Sequence, residues 1–513
     1  MRWLALAVLT VPCVLVSMDL SVLFYAVPAL TAELRPSSAE LLWILDLYGF
    51  VLAGLLITMG TLGDRFGRRR VLLAGAALFG VASVLAAYAP DTEPLIAARA
   101  LLGVAGATLA PSTLALIRTL FTDAGERQVA VSIWTIGFAG GSLVGPVIGG
   151  LLLEHFHWGS VFLLNVPVMA LLLVFGPFLL PEARDPEAGR FDLVGAGLSL
   201  AAILPMIYGV KKLATEGFTV AHLLPIAAGL AVGWLFVRRQ LTAEHPMLDL
   251  RLFRLARFSG SVVACAITFL MLAGLGMFVS QYLQLVLGHG PFVAALWTLP
   301  GMAGMLLGVG LATALAPTVR PATLVAVGLV VGGVGFALIA QAGLTDGELW
   351  VAASEVALAA GIGAVASIAT NLVLATAPPN RAGAAAAISE TANEFGGAAG
   401  IAILGSAAAV VYRTELTATP PAGLAPDQLA TAADTLAMAS RLAAELPEPT
   451  QTALLTAARE SFVSGMHWVA WTGALGCLVL AVFVALTLRS VEPGDVDAAA
   501  APGYPAGLLH RGG

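Results

Sequence analysis

The sequence predicts an all-α polytopic membrane protein with fourteen transmembrane helices. Three observations carry this reading. Of the 513 residues, 59% are hydrophobic and only 11% are charged, where an ordinary soluble domain has about 25% charged residues. The apolar residues fall into fourteen stretches near the roughly 20 residues that a spanning helix needs. Lys and Arg sort to alternate connections between those stretches. A chain this poor in charge cannot coat a water-facing surface, so a soluble enzyme, a disordered regulator and a nucleic-acid binder are excluded. The net charge of −6 is too small to indicate a polyanionic partner. Backbone polar groups cannot go unpaired in hydrocarbon, so the spans must be helical.

The first six spans run over 4–30, 41–61, 71–89, 95–118, 128–151 and 160–181. Ala29-Leu30-Thr31-Ala32 mimics a leader cleavage site, but the stretch before it is longer than a leader's apolar core and carries Asp19 midway, so it reads as a span. Two further spans lie at 192–210 and 220–237, followed by a basic amphipathic link, 238–257, suited to the membrane surface. The last six lie at 258–284, 292–316, 322–343, 349–376, 384–411 and 463–488. Segment 412–462 is much longer than any other loop. Its parts 426–446 and 450–463 have helical patterning broken at Pro447 and Pro449, and a helical hairpin over the entrance is expected. The organisation is a six-helix bundle, 1–190, an inserted helix pair with its link, 191–257, a second six-helix bundle, 258–490, and a Gly/Ala/Pro-rich tail, 491–513, expected to be flexible.

With both termini cytoplasmic, eighteen of the 25 Lys and Arg residues fall on the inside. Arg35, Lys211 and Lys212 are assigned to short outside loops, and Arg413, Arg441 and Arg459 to the long one. Arg99 is left within a span.

Ionisable residues inside a bilayer are costly and mark function by default. Five acids face that one base: Asp19, Asp46, Glu355, Glu390 and Glu394. Desolvation makes a carboxyl hold its proton more readily, so such groups suit proton loading and release. Trp43, Asp46 and Phe50 recur at i, i+3 and i+7, placing an acid and two rings on one helix face, a combination fitted to an organic cation. Glu390 and Glu394 share a face one turn apart. Plainer roles stand beside these: a structural hydrogen bond for Asp19, pairing with Arg99 for Asp46, packing for Glu394, and solvation for Glu355 near its helix end. The seven histidines lie near span ends or in the inside segments and form no central relay.

Gly137, Gly141, Gly145 and Gly149 recur every fourth residue, with Pro146 among them, and permit close helix packing, as two rocking bundles need at their contact. Trp3, Trp158, Trp350 and Trp468 sit at span ends as interfacial anchors. Cys13, Cys265 and Cys477 lie in apolar runs and read as buried hydrophobes. No phosphate loop, zinc-protease, haem or hydrolase motif occurs, and no metal-spaced Cys/His set, so neither a metal nor a cofactor is expected. Uphill transport would draw on an ion gradient.

Gly60-Thr61-Leu62-Gly63-Asp64-Arg65-Phe66-Gly67-Arg68-Arg69-Arg70 resembles the GxLaDrxGrkxxl loop of the major facilitator superfamily. Arg99, Gly103, Gly106 and Ala107 are similar to that superfamily's RxxqGxgaa motif, and Gly137 to Gly150 is similar to its antiporter motif, gxxxGPxxGG. Met18-Asp19, Ala26-Val27-Pro28, Trp43 to Tyr48, His157 to Pro167, Gln281-Tyr282-Leu283-Gln284 and Ser389-Glu390-Thr391 resemble the fourteen-span drug:H+ antiporters, the quaternary-ammonium and dye exporters most of all. The resemblance covers about residues 10–490. It implies proton coupling through Asp19, Glu390 and Arg99. It implies cation recognition by Asp46 and Glu394, and with the spacing argument the expected substrate-binding set is Asp46, Trp43, Phe50, Tyr48, Glu394, Gln281 and Tyr282. It also implies a cytoplasmic gate of Gly60, Asp64, Arg65, Gly67, Arg68 and Arg69 that latches the two halves. Residues 258–317 depart from some relatives in holding no Asp or Glu, and the second half's gate loop is reduced to Arg320.

The expected protein is thus no enzyme but a proton-driven, alternating-access exporter of lipophilic cations in the bacterial plasma membrane, working as a monomer. Its expected partners are lipophilic cationic small molecules, protons and the lipid bilayer. A dedicated exporter of a self-made antibiotic, peptide or lipid precursor is the alternative on the same fold. A non-transporting sensor or scaffold has no support from the short cytoplasmic segments.

Overall fold

A computed structural model describes residues 2–184, 192–216, 219–243, 250, 252–376 and 382–489. Among these the secondary structure is helical. In chain order the helices are α1 (Arg2–Leu34), α2 (Ser38–Phe66), α3 (Arg68–Ala87), α4 (Thr92–Leu120), α5 (Ala124–His155), α6 (Ser160–Leu163) and α7 (Asn165–Leu179). Then come α8 (Leu193–Glu216), α9 (Val220–Thr242), α10 (Ala256–Gln281), α11 (Pro291–Thr298), α12 (Pro300–Leu315) and α13 (Pro321–Ile339). The last are α14 (Glu348–Thr376), α15 (Ala382–Ala418), α16 (Pro426–Ala432), α17 (Leu436–Ala444) and α18 (Glu448–Thr487). Among the described residues, thirteen helical segments are long and apolar enough to cross a membrane, and α5, bent by 45°, makes a fourteenth.

Proline accounts for the interruptions. Pro146 has no N–H for the carbonyl of Ser142, and α5 bends between Ser142 and Val144. Pro300 occupies the first position of α12, so α11 and α12 form one span with a break at Leu299. α10 runs on into a π-helical turn, Tyr282–Val286.

Small residues set which helices touch. A Cβ on Gly141 would lie 2.3 Å from the Val14 carbonyl oxygen, and one on Gly145 2.6 Å from Ser21 Oγ, so the glycine stripe of α5 seats α1. The second half repeats this seam: Gly396 and Gly400 of α15 meet the backbone of Ala266 and Leu270 in α10 at 2.1 and 1.9 Å by the same measure. The stripe therefore packs within one half. The contact with the other half falls to Gly150, whose Cβ would lie 2.7 Å from Phe292 Cα at the start of α11.

The inserted pair is not a bystander. α8 packs on α2, where Ser199 Oγ donates to Gly54 O at 3.3 Å and a Cβ on Gly54 would press on Leu200 at 2.6 Å. Ile207 of α8 joins Phe50 of α2 and Ala398, Ala399 and Ala402 of α15 in one buried cluster. In contrast α9 lies at the periphery, with 6% of its apolar window buried against 94% for α2.

Several expectations change here. α8 continues six residues past 210, which carries Lys211 and Lys212 into the helix instead of a loop. Segment 450–463 is the first part of α18, whose 40 residues rise about 60 Å at 1.5 Å each and so project beyond the bilayer. α16 and α17 alone form the hairpin. Trp158 is buried, with Nε1 donating to Glu33 at 3.0 Å, so it is no lipid-facing anchor. Trp3, Trp350 and Trp468 are exposed. Part of the basic link and the tail from 490 lie outside the described residues.

Candidate functional site

Two buried ion pairs hold the acids of the first half. In the first, Arg99 of α4 pairs with Asp19 of α1, and both are buried. Close packing places it: a Cβ on Gly103 would lie 2.7 Å from Tyr48 O, so α4 presses on α2 one turn below Arg99. Arg99 Nε then donates to Ile44 O at 2.9 Å, and the guanidinium lies 4.7 Å from the centre of the Tyr48 ring and 6.0 Å from that of Phe162. Its Nη2 has no hydrogen-bond partner in the protein. Asp19 borders a small cavity with Met18, Val22, Phe162 and Asn165.

The second pair was not legible in the sequence. Lys211 of α8 reaches Asp46 of α2, with Nζ 3.0 Å from Oδ1 and 2.9 Å from Oδ2, and Nζ lies 3.7 Å from the centre of the Trp43 ring. Lys211 is 1% exposed and Asp46 0%. Asp46 therefore pairs with Lys211 and not with Arg99, and the membrane interior holds a second base. The signal lay in register: Ser199, Ile203, Ile207 and Lys211 recur every fourth residue, and the first three already face α2 and α15.

Glu390 and Glu394 lie on α15, half-buried, where it crosses α2. The Glu394 carbonyl lies 3.9 Å from a Cβ on Gly49, and Phe395 meets Phe50 edge-on at 5.9 Å. Beside the two acids, Ser389 Oγ, Thr391 Oγ1 and Asn393 Oδ1 are buried without a hydrogen-bond partner in the protein. A polar patch with unspent hydrogen-bonding capacity thus lies buried in the first third of α15. Glu355 lies against Gly301, with Oε2 3.2 Å from a Cβ there, and is half-buried.

The remaining expected site residues separate. Gln281 lines a cleft with Leu42, Phe278, Tyr412, Asp434 and Phe462. Tyr282 turns away from it, and its hydroxyl donates to Gly343 O at 2.6 Å. Tyr48 is buried, its hydroxyl donating to Val16 O at 3.3 Å.

The loop expected to latch the halves docks within the first half. Gly67, at φ 109°, leaves room for Glu182, whose Oε1 would lie 2.4 Å from a Cβ there. Arg69 N–H donates to Glu182 at 3.2 Å, the Nε atoms of Arg69 and Arg70 lie 3.7 and 3.6 Å from it, and Arg69 Nη1 donates to Leu180 O at 3.0 Å. Arg68 pairs with Asp64 at 2.5 Å, Arg65 lies over the Phe66 ring at 5.6 Å, and Gly60 faces Pro111 of α4. Glu182, which sequence reasoning passed over, is the anchor.

At the opposite end the halves are tied together. Ser280 Oγ donates to Phe24 O at 2.6 Å, Tyr25 and Thr298 hydroxyls lie 3.1 Å apart, and Gln284 Nε2 donates to Tyr25 O at 3.3 Å. The α16–α17 hairpin caps the cleft: Ser38 Oγ donates to Asp434 O, Arg441 Nη1 to Ala32 O at 2.5 Å, and Tyr412 hydroxyl to Ala432 O at 2.9 Å. Burial pushes the Asp434 carboxyl above its ordinary range, against the Arg413 guanidinium at 3.1 Å.

Helix number, the seams and these pairs describe a transporter scaffold, and residues 13–401 match the family profile described as Major Facilitator Superfamily. The chain belongs to the Major Facilitator Superfamily. Within it, the chain is 46% identical over 491 residues to the multidrug efflux pump LfrA of Mycolicibacterium smegmatis, covering 95% of this chain and 96% of that protein. It is 35% identical to the methyl viologen resistance protein SmvA of Salmonella typhimurium, covering 93% and 96%. It is 31% identical to the tetracenomycin C resistance and export protein of Streptomyces glaucescens, covering 99% and 96%. Among solved structures, a bacterial homologue of the human lysosomal transporter Spinster in an inward-facing, unoccupied conformation gives a TM-score of 0.65 at 18% identity, covering 96% and 97%. That likeness shows the superfamily fold.

Proposed function

We propose that this chain is a drug efflux transporter of the bacterial plasma membrane that exports lipophilic cations in exchange for protons. The observation that carries the reading is the Asp46–Trp43 site, a buried carboxylate and an indole face that already hold an ammonium group at 2.9 and 3.7 Å. A carboxylate beside an aromatic face is what a desolvated organic cation needs. A relative named as a multidrug efflux pump and one named for resistance to methyl viologen, an organic dication, support it.

The substrate binds between the two halves, at the level where α2 crosses α15. Glu390 and Glu394 are the acids of the second half there. When they take protons the seam loses negative charge and its hold on a cation weakens; when they release protons that hold returns. Asp19, tied to Arg99, reports its own protonation through α4, because loss of its charge frees a guanidinium already one partner short. The far-end contacts and the hairpin close one side, and the loop around Asp64 resides in its own half on the other. Alternation of these two ends moves the site from one face to the other.

Inside-out vesicles with an acidic lumen and ethidium in the medium test this. Asp19→Asn and Glu390→Gln are expected to abolish proton-driven ethidium transport while the protein still inserts, and Asp46→Asn to lower transport of cationic dyes more than of neutral ones. Undiminished pumping by both Asp19→Asn and Glu390→Gln overturns the coupling assignment. The second reading, a dedicated exporter of a self-made compound, draws support from the tetracenomycin C relative. Resistance confined to one compound class in a pump-deficient host would favour it.

A further inference from the structure

We infer that Lys211 is a built-in occupant of the cation site, which a substrate cation must displace before it can bind Asp46 and Trp43. The inference rests on the cation-export reading and adds the group that sets its charge selectivity.

The geometry is that of a bound ligand. Lys211 Nζ contacts both Asp46 oxygens and stands over the Trp43 ring, so one ammonium uses both elements that recognise an organic cation. The pair is not what holds α8 in place. Ser199, Leu200 and Gly54 fix α8 on α2 about three turns away, and Ile207 seats it against Phe50 and α15. Withdrawal of the ammonium would therefore leave the helix anchored. The ammonium also has somewhere to go: Lys211 lies five residues before the end of α8 at Glu216, about 7.5 Å of helix rise, within reach of the interface for a snorkelling lysine.

Exchange explains why both charges are buried. Asp46 alone in this apolar seam would be an uncompensated carboxylate, costly while the transporter is empty. Lys211 neutralises it in the resting state, and an incoming cation takes over the same charge as Lys211 withdraws. A neutral ligand offers Asp46 nothing in return and cannot open the pair. Lys211 thus lowers affinity for all ligands and lowers it least for those with positive charge.

Ethidium binding to the purified full-length protein in nanodiscs, followed by fluorescence anisotropy, tests this. A tethered competitor acts at an effective concentration in the millimolar range, so Lys211→Met is expected to bind ethidium at least about tenfold more tightly than the parent. Lys211→Arg keeps the charge and is expected to stay near the parent affinity. Asp46→Asn/Lys211→Met, a neutral pair, is expected to lose the gain. Lys211→Gln, which keeps a donor for Asp46, carries the measurement if Lys211→Met does not fold. Parent-like or weaker ethidium affinity in the Lys211 variants, with the parent binding, overturns the inference and leaves Lys211 a structural strut. If neither the parent nor any variant binds ethidium, the cation reading itself fails and takes the inference with it.

Discussion

Removing the Arg99 side chain should unbalance the first half more than any other single truncation of its polar residues. Arg99→Met strips Asp19 of its partner, removes the donor to Ile44 O at 2.9 Å, and removes the cation facing the Tyr48 ring at 4.7 Å. Breaking one side of a buried pair costs about 3–5 kcal/mol, because the other charge stays behind in an apolar site. Asp19→Asn should cost less, since Arg99 keeps its carbonyl and its ring. The double variant Asp19→Asn/Arg99→Met leaves no buried charge and should recover part of the loss, with a coupling of about 2–3 kcal/mol in the cycle. Unfolding in mixed micelles, read by a thiol-reactive fluorophore, is the assay. Cys13, Cys265 and Cys477 are buried and free, so labelling reports loss of packing. A cost for Arg99→Met below about 1 kcal/mol, the range of an exposed pair, would refute the reasoning. So would additive single losses.

Two further predictions concern motion and acid. Gly150→Val places a side chain where even a Cβ would lie 2.7 Å from Phe292 Cα, so the far end cannot close; labelling of a cysteine introduced at Ala409 in the Gln281 cleft should rise and transport should fall. Asp192 caps α8 through Gly195 N–H at 2.8 Å and pairs with Arg239 of α9 at 2.8 Å. Burial opposes its charge, but the Arg239 and Gly195 hydrogen bonds outweigh it and hold the carboxyl below its usual range. That stability is present above the unfolded-state value, about 3.9, and is lost as pH falls through the lower folded value, so the thermal advantage over Asp192→Asn should shrink on acidification.

The spans, the shared face of Asp46 and Trp43, and the placement of Arg99 within a span were legible because hydropathy and helical spacing are local properties. Partner choice was not. Lys211-Lys212 reads as a span end by hydropathy, and the Asp46 carboxylate and Trp43 ring of a distant helix help make burial of Lys211 tolerable. Asp19 and Asp46 are equally plausible partners for Arg99 in one dimension; the approach of α4 to α2 at Gly103 decides for Asp19. Tyr282 matched a motif, yet the π-helical turn that starts there aims its hydroxyl at Gly343. The stripe in α5 announced a close seam without saying with which helix. Glu182 carried no signal in its own segment, since its role exists only once Gly67 and Arg69 come against it.

The central claim is exchange of a lipophilic cation for protons through buried carboxylates. Proteoliposomes containing the purified chain, with an imposed pH gradient, an internal pH dye and external tetraphenylphosphonium, test it most directly. Cation uptake is expected only when the lumen is acidic, with lumenal alkalinisation in step with that uptake and loss of both in Glu390→Gln. Cation flux that is indifferent to the pH gradient, or proton flux unaffected by the cation, would contradict it.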